Sequence, residues 1–399
     1  MKPTAVYYVN LGDAYMASGN SGEAIDYYNE ASALEPENPS YYSSIGDVYR
    51  MQGNWDEAIK YYEKALSINP DNDLVNNNLG FTYYSKGEAY QASEYYQTAV
   101  EYYQRAISAG QKDNSAKLNL ATYYLNLGDA YRKLENWDEA IKNYEKALEI
   151  SPDDELANNS LGIAYYSKGQ KESSAEYYEK AIKHYQEAIT AGQKNSPGKP
   201  NFIYYANLGD AYRALMNWDK AIESYKAALD INNNDDIAYN GLGIAYSGKG
   251  KYHKAIEQYQ KAASLKTKPI YYANIGDTYR ILRKWDDAIR NYEIAIEKAL
   301  EIGPEDRTFH KSLGVAYNDR GVEHYTKGDD HKAVEDYKKA VELNPEDPVI
   351  HYNLYLVYNA KGTYKEAKES LGKAVELDPD NQIYSNELKE LTSRMPLMS

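Results

Sequence analysis

The chain repeats itself. The segment IGDVYRMQGNWDEAIKYYEKALSINPDN (residues 45–72) returns as LGDAYRKLENWDEAIKNYEKALEISPDD (127–154), as LGDAYRALMNWDKAIESYKAALDINNND (208–235) and as IGDTYRILRKWDDAIRNYEIAIEKALEI (275–302). Weaker copies lie between them. The glycine of each LG or IG pair marks the units: Gly12, Gly46, Gly80, Gly128, Gly162, Gly209, Gly243 and Gly276, with Gly321 and, by register, Tyr355 completing a set of ten. Most gaps are 34 residues. A period of this size means a stack of small units, each unable to hold a core alone and each burying its apolar face on its neighbours.

Inside a unit the apolar spacing is helical. In the second copy Ile45, Val48 and Tyr49 share one face, and Ala58, Ile59, Tyr62, Ala65 and Leu66 share another. Gly53-Asn54 separates the two helices, and Asn69-Pro70-Asp71-Asn72 closes the unit with turn-forming residues. The marker glycine and the paired alanines are small enough for close helix approach.

These residues resemble the tetratricopeptide repeat (TPR) family. A small residue ahead of a Tyr, a Trp or Tyr opening the second helix, two Ala seven apart and a closing Pro follow its 34-residue pattern. Examples are Gly12-Ala24-Ala31-Pro36, Gly46-Ala58-Ala65-Pro70, Gly128-Ala140-Ala147-Pro152 and Gly321-Ala333-Ala340-Pro345. The resemblance implies an all-α fold, a right-handed α-α superhelix of antiparallel helix pairs whose first helices line a concave groove. It assigns residues 1–381 to an array of about ten repeats, starting near 5, 39, 73, 121, 155, 202, 236, 269, 314 and 348.

Three repeats are lengthened, at 73–120, 155–201 and 269–313. In the first two, ASEYYQT-AVEYYQR-AISAGQK and AEYYEK-AIKHYQE-AITAGQK read as a second helix lengthened by two turns, ending at Ala-Gly-Gln-Lys before a polar loop. Heptads keep the apolar stripe on one side. The third adds about four residues within its second helix (Ile296–Leu300) and then Phe309–Gly314. Such insertions are either drift at repeat junctions or protruding helix ends that form a lateral contact. Residues 382–399 follow as a C-terminal capping helix and tail, with Ile383, Leu388 and Leu391 at helical spacing. No matching cap precedes the first unit, so its N-terminal face is expected to stack on another molecule or on an upstream domain.

Composition narrows function. The sequence holds no cysteine, which excludes disulfides, thiolate metal sites and a cysteine nucleophile. A formal net charge of −15 opposes a nucleic-acid backbone. No membrane-inserting segment or signal peptide is read, so the cytoplasm is the default location, with a processed extracellular or cell-surface assembly left open. GIAYSGKG (243–250) falls short of a phosphate loop, because Gly250 stands where Ser or Thr must hold magnesium and the register is helical. The six histidines lack ligand spacing, Asp153-Asp154 reads as a helix cap, and Asn158-Asn159-Ser160 is the single glycosylation sequon. The expectation is no catalytic residue, no metal and no cofactor.

The groove positions carry the functional reading. By the TPR register the residue after each marker glycine, and that three further on, face the groove. Asp47/Arg50, Asp129/Arg132, Asp210/Arg213 and Asp277/Arg280 give charged rungs, and Phe81/Tyr84, Ile163/Tyr166, Ile244/Ser247 and Val322/Tyr325 alternate with them. Asn78, Asn126, Asn207 and Asn274 add amides two residues before their glycines. As plain i,i+3 ion pairs the charged rungs are worth only about 0.2–0.5 kcal/mol each. The 46 tyrosines include twelve Tyr-Tyr pairs, whose neighbours point about 100° apart on a helix. One ring then packs inside while the other reaches a rim. The expected partner is a protein or peptide held by these rungs, with self-assembly into a homo-oligomer through the N-terminal face and extended helices as the alternative.

Overall fold

The computed structural model describes residues 3–112, 117–303 and 307–394, and divides into two compact units, 1–215 and 216–399. The first contains α1 (Ala5–Ala17), α2 (Ser21–Leu34), α3 (Pro39–Met51), α4 (Trp55–Ile68), α5 (Asp73–Tyr90), α6 (Ser93–Lys112), α7 (Lys117–Lys133), α8 (Trp137–Ile150), α9 (Glu155–Glu172), α10 (Ala175–Asn195) and α11 (Phe202–Ala214). The second contains α12 (Trp218–Ile231), α13 (Asp236–Gly248), α14 (Tyr252–Leu265), α15 (Pro269–Ile281), α16 (Trp285–Ile302), α17 (Thr308–Thr326), α18 (Asp330–Leu343), α19 (Pro348–Ala360), α20 (Tyr364–Leu377) and α21 (Gln382–Arg394). Within each unit the described helices form an all-α array in which successive helices pack as pairs. The polar loop expected after Lys112 and the tail 395–399 lie outside the described residues.

The marker glycine has a specific task. A Cβ at Gly46 would lie 2.8 Å from the Tyr62 ring, and at Gly128 it would lie 2.5 Å from the Tyr144 ring. Gly12 meets Tyr28, Gly80 meets Tyr103, Gly162 meets Tyr185, Gly243 meets Tyr259, Gly276 meets Tyr292 and Gly321 meets Tyr337 in the same way. What the glycine admits is therefore an aromatic ring lying flat on the first helix. The alanines of the second helix, such as Ala58 and Ala65, are fully buried around that ring. In the tenth repeat the pair is reversed: Tyr355 takes the glycine position and Leu371 the ring position, and both are buried in one cluster.

Both helices of the lengthened pairs grow. The second helices α6 and α10 have 20 and 21 residues against 14 in α4, as the sequence indicates. The first helices α5 and α9 also grow, to 18 residues against 13 in α3. The reason is a second glycine–tyrosine contact, Gly87 on Tyr96 and Gly169 on Tyr178, seven residues beyond the first on each helix. A longer second helix without a longer first would leave Tyr96 and Tyr178 bare. In the third case α16 has 18 residues and Phe309–Gly314 extends the start of α17.

The cap differs in one residue from its expectation. Leu391 is buried and Leu388 packs beside it, but Ile383 is exposed and Tyr384 is buried in its place. Tyr384, Leu388 and Leu391 form the i, i+4, i+7 stripe, from which Ile383 is offset by about 100°.

Turns are closed locally. Buried Asn76 donates from Nδ2 to the Pro70 and Asn72 carbonyls at 3.1 and 2.8 Å, and Asn158 does the same to Pro152 and Asp154 at 3.3 and 3.1 Å. His351 replaces this asparagine in the last repeat, its Nε2 donating to the Pro345 carbonyl at 2.9 Å. The sequon asparagine Asn158 is thus a buried turn clamp, 2 % exposed. Asp154 caps α9, accepting from the Leu156 and Ala157 amides. Gly243 and Gly248 of the would-be phosphate loop receive the rings of Tyr259 and Trp218.

Candidate interaction surface on the first helices

The charged rungs are wired into the core by the same tyrosines. Asp47 Oδ1 accepts from the Tyr62 hydroxyl at 2.6 Å and from Asn78 Nδ2 at 3.1 Å, while Arg50 Nε donates to the Tyr62 oxygen at 3.2 Å. Asp129 Oδ1 accepts from Tyr144 at 2.8 Å and from Arg132 Nε and Nη2 at 3.2 and 3.1 Å. Arg213 Nη2 donates to Asp210 Oδ1 at 3.0 Å. The fourth rung departs from the pattern. Asp277 accepts from Tyr292 at 2.6 Å, but Arg280 turns to Asp319 on α17 at 3.2 Å. Burial first, and the facing carboxylates second, raise the Tyr62, Tyr144 and Tyr292 phenols well above their ordinary range. Each stays a neutral donor that fixes the carboxylate of its rung.

The aromatic rungs sit next to the charged ones. The Arg50 guanidinium lies over the Phe81 ring, 5.5 Å from its centroid. Tyr84 is held edge-on by Tyr96 at 5.5 Å, and its phenol is raised by burial and by Asp129 of the next rung. Tyr166 packs on Tyr178 at 5.5 Å, with burial and Asp210 acting on it likewise. In the first unit the structure therefore brings Arg50 onto Phe81, Tyr84 toward Asp129 and Arg132, and Tyr166 toward Asp210 and Arg213. The charged side chains there remain partly open, from 25 to 38 % exposed.

The amides form a row that the sequence reading half found. Asn126 Nδ2 donates to Asn77 Oδ1 at 2.9 Å, Asn207 to Asn159 at 2.9 Å, Asn274 to Asn240 at 2.8 Å and Asn353 to Asn318 at 2.9 Å. The acceptors Asn77, Asn159, Asn240 and Asn318 were missed. Their signal is an asparagine three residues before alternate marker glycines. Also missed were exposed aliphatic residues six before the glycines: Val6, Leu74, Leu156, Ile203, Ile237 and Ile270.

The tyrosine pairs divide as expected in part. Seven of the twelve pairs bury one ring only, such as Tyr28, Tyr62, Tyr103 and Tyr271 beside half-buried Tyr27, Tyr61, Tyr102 and Tyr272. Tyr41/Tyr42 and Tyr123/Tyr124 are buried together, and neither ring is buried in Tyr7/Tyr8, Tyr83/Tyr84 and Tyr177/Tyr178. Several half-buried rings already have a partner in their own repeat. Tyr27 stacks on Tyr15 at 5.2 Å, Tyr61 on Tyr49 at 5.6 Å and Tyr102 on Tyr83 at 5.6 Å. Among the described residues no group of three or more His, Asp or Glu side chains is placed to hold a metal ion, and no helix is long and apolar enough to cross a membrane.

Family models agree with this architecture. Models described as TPR repeat match residues 12–53, 46–87, 128–169 and 321–362. Tetratricopeptide repeat models match 82–112, 157–189, 201–268, 274–321 and 350–381. The chain belongs to the tetratricopeptide repeat family. A similar solved structure is the C-terminal part of a TPR repeat-containing protein from Cytophaga hutchinsonii, with a TM-score of 0.54 at 18 % identity, covering 66 % of this chain and 99 % of that one. MamA matches with a TM-score of 0.39 at 26 % identity over 45 % of this TPR chain and 98 % of its own. YrrB, described as a TPR protein with an unusual peptide-binding site, matches at 0.39 and 21 % identity over 51 % and 98 %. A search of curated proteins returns no match.

Proposed function

We propose that this TPR chain is a non-enzymatic scaffold that holds a protein or peptide against the first-helix faces of its repeats. The observation carrying this reading is the contiguous band in the first unit, where Phe81, Tyr84 and Tyr166 alternate with Asp47/Arg50, Asp129/Arg132 and Asp210/Arg213. Buried phenols orient Asp47 and Asp129, and Arg213 bonds to Asp210, so the polar groups are fixed before a partner arrives and less ordering entropy is lost on binding. Aromatic rings and arginine are the side chains that dominate protein interfaces. In the second unit Asp277, Arg280 and the Asn274 amide occupy the corresponding face.

Selection of peptides from a random display library against the whole chain tests this. Peptides enriched on the wild-type chain should lose at least tenfold in affinity for a Tyr84→Ala/Arg132→Ala variant of unchanged helicity. Affinity retained by that variant and by Tyr166→Ala/Arg213→Ala would exclude the band as the binding face. Sedimentation of the free chain over a range of concentrations addresses the self-assembly alternative, which a persistent monomer rules out.

A further inference from the structure

The exposed aliphatic side chains are not scattered. In the second unit Ile237 on α13 is 60 % exposed, Ile270 on α15 is 47 % exposed and Val349 on α19 is 49 % exposed; all stand six residues before their marker positions. Val315 holds the same position on α17 and is half-buried. One or two turns further along, on the other side of the amides, stand Ile244, Ile281 and Val322, the last two exposed. Spacings of three and four place an amide between aliphatic neighbours on one helix face in Ile237–Asn240–Ile244 and Val315–Asn318–Val322, whereas on α15 Ile270 precedes Asn274 and Asp277 follows it. The face is thus a row of amides with aliphatic side chains on one side and a mixed row, Ile244, Asp277 and Val322, on the other. Contiguous exposed apolar surface of this kind marks an interaction site.

Its charges identify what fits. Arg280 is matched by Asp319 at 3.2 Å, and Asp277 is held by the Tyr292 hydroxyl at 2.6 Å. Lys266 and Lys268 are both drawn to Asp236, at 3.0 and 2.7 Å. The three carboxylates and three cations named here cancel in sum, although Asp277 is bonded to a neutral phenol, so a charged partner would be desolvated without a net counter-charge. An uncharged segment complements it.

The amides decide the backbone conformation. Each side-chain amide has two N–H donors and an acceptor oxygen, and the Asn274–Asn240 and Asn353–Asn318 bonds use one donor and one acceptor per pair. An α-helical partner satisfies its own backbone and would cover the remaining amide positions without pairing them, at about 1–3 kcal/mol for each group left buried. A polyproline-type segment has no internal hydrogen bonds. It also returns to the same face every three residues, a rise of roughly 9 Å, which matches the roughly 8–10 Å between packed helices.

We propose, resting on the groove reading above, that the first-helix face of the second unit binds an uncharged, extended, polyproline-like segment with an aliphatic side chain at every third residue. The amide row pairs with its backbone, and Ile237, Ile270 and Val349 receive successive aliphatic groups. Three 15-residue synthetic peptides test it against the full chain by fluorescence anisotropy: leucine at every third position with proline, serine and glutamine between, leucine at every second position, and an amphipathic helix with leucine at i, i+3, i+4 and i+7. The first should bind at least tenfold more tightly than the others. Asn274→Leu and Asn353→Leu should each weaken it several-fold, and Ile270→Asp at least tenfold, with circular dichroism unchanged. Preference for the helical peptide, no effect of the asparagine variants, or no binding by any peptide overturns the proposal. If the helical peptide wins and still loses affinity on Ile270→Asp, the extended segment is wrong and the groove reading stands. If Ile270→Asp leaves the binding of every peptide unchanged, the groove reading fails in this unit as well.

Discussion

A tyrosine ring on a glycine is the smallest working part of this chain. Each ring is buried between a glycine-bearing first helix and an alanine-bearing second helix, and the hydroxyls of Tyr28, Tyr62, Tyr144 and Tyr292 bond to the aspartate that follows the glycine. Gly128→Ala would drive a methyl group to 2.5 Å from Tyr144. We expect a loss of about 1–3 kcal/mol, the usual cost of overpacking, read as a lower urea midpoint at constant slope. Tyr144→Phe should cost a similar amount, about 1.5–3 kcal/mol, because the ring is kept but one hydrogen bond to a carboxylate is lost. The sequence made the glycines and tyrosines visible by recurrence at fixed spacing. It did not reveal that they meet, because register places residues on a helix face but is silent about which side chain of the neighbouring helix reaches it. Asp236 makes the same point. Nothing in Asp235-Asp236 distinguishes a cap from a buried acid, yet Asp235 caps α13 while Asp236 is 2 % exposed, bonded to Tyr271, Lys266 and Lys268. Burial acts to raise its carboxyl, and the bonds from Lys268, Tyr271 and Lys266 together outweigh that and hold it well below the usual range. Its stabilising contribution is therefore complete above the unfolded carboxylate value of about 3.9 and is lost as pH falls through the lower folded value. Asp236→Asn should flatten the acid limb of a stability-versus-pH curve below about pH 4; an unchanged limb would contradict the assignment.

At the scale of the helix pair, turns carry the strain. Gly19, Gly53, Gly250, Gly328 and Gly362 adopt left-handed backbone between paired helices, but Gln91, Glu135, Ser173 and Arg283 hold φ between 51° and 56° at the equivalent turns. A side chain in that conformation costs about 1–2 kcal/mol, and glycine's extra unfolded-state freedom offsets part of any gain. Glu135→Gly and Arg283→Gly should each raise stability by about 0.5–1 kcal/mol, measurable as an upward shift of the thermal midpoint. Half of the lengthened pairs was legible for a related reason. The extension of α6 and α10 lies in an obvious tyrosine-rich stripe, whereas that of α5 and α9 rests on Gly87 and Gly169, residues that otherwise look like helix stops. A glycine ends a helix in solvent; under an aromatic ring it continues one.

The whole chain contains 46 tyrosines, and their state links stability to alkaline pH. Burial raises the phenols of Tyr62, Tyr103, Tyr144, Tyr185 and Tyr292 far above the ordinary value. An unfolded chain releases those protons near pH 10 while the folded one retains them. Stability is thus complete below about pH 10 and falls as pH rises beyond it. Tyrosinate absorbance should rise in two stages, exposed rings first and the buried ones together with loss of helical circular dichroism. Family and repeat architecture were readable because every unit restates them. The proposed binding face was readable only in outline: Asp/Arg and Tyr positions follow from register, while the asparagine acceptors and the exposed aliphatic positions depend on which neighbouring helix each residue meets.

Hydrogen exchange of the whole chain, with and without its best-selected peptide, tests the central claim most directly. The account predicts added protection in the first helices α5, α7 and α9, or α13, α15, α17 and α19, with α4, α8, α14 and α18 unchanged. Protection confined to the second helices would contradict it.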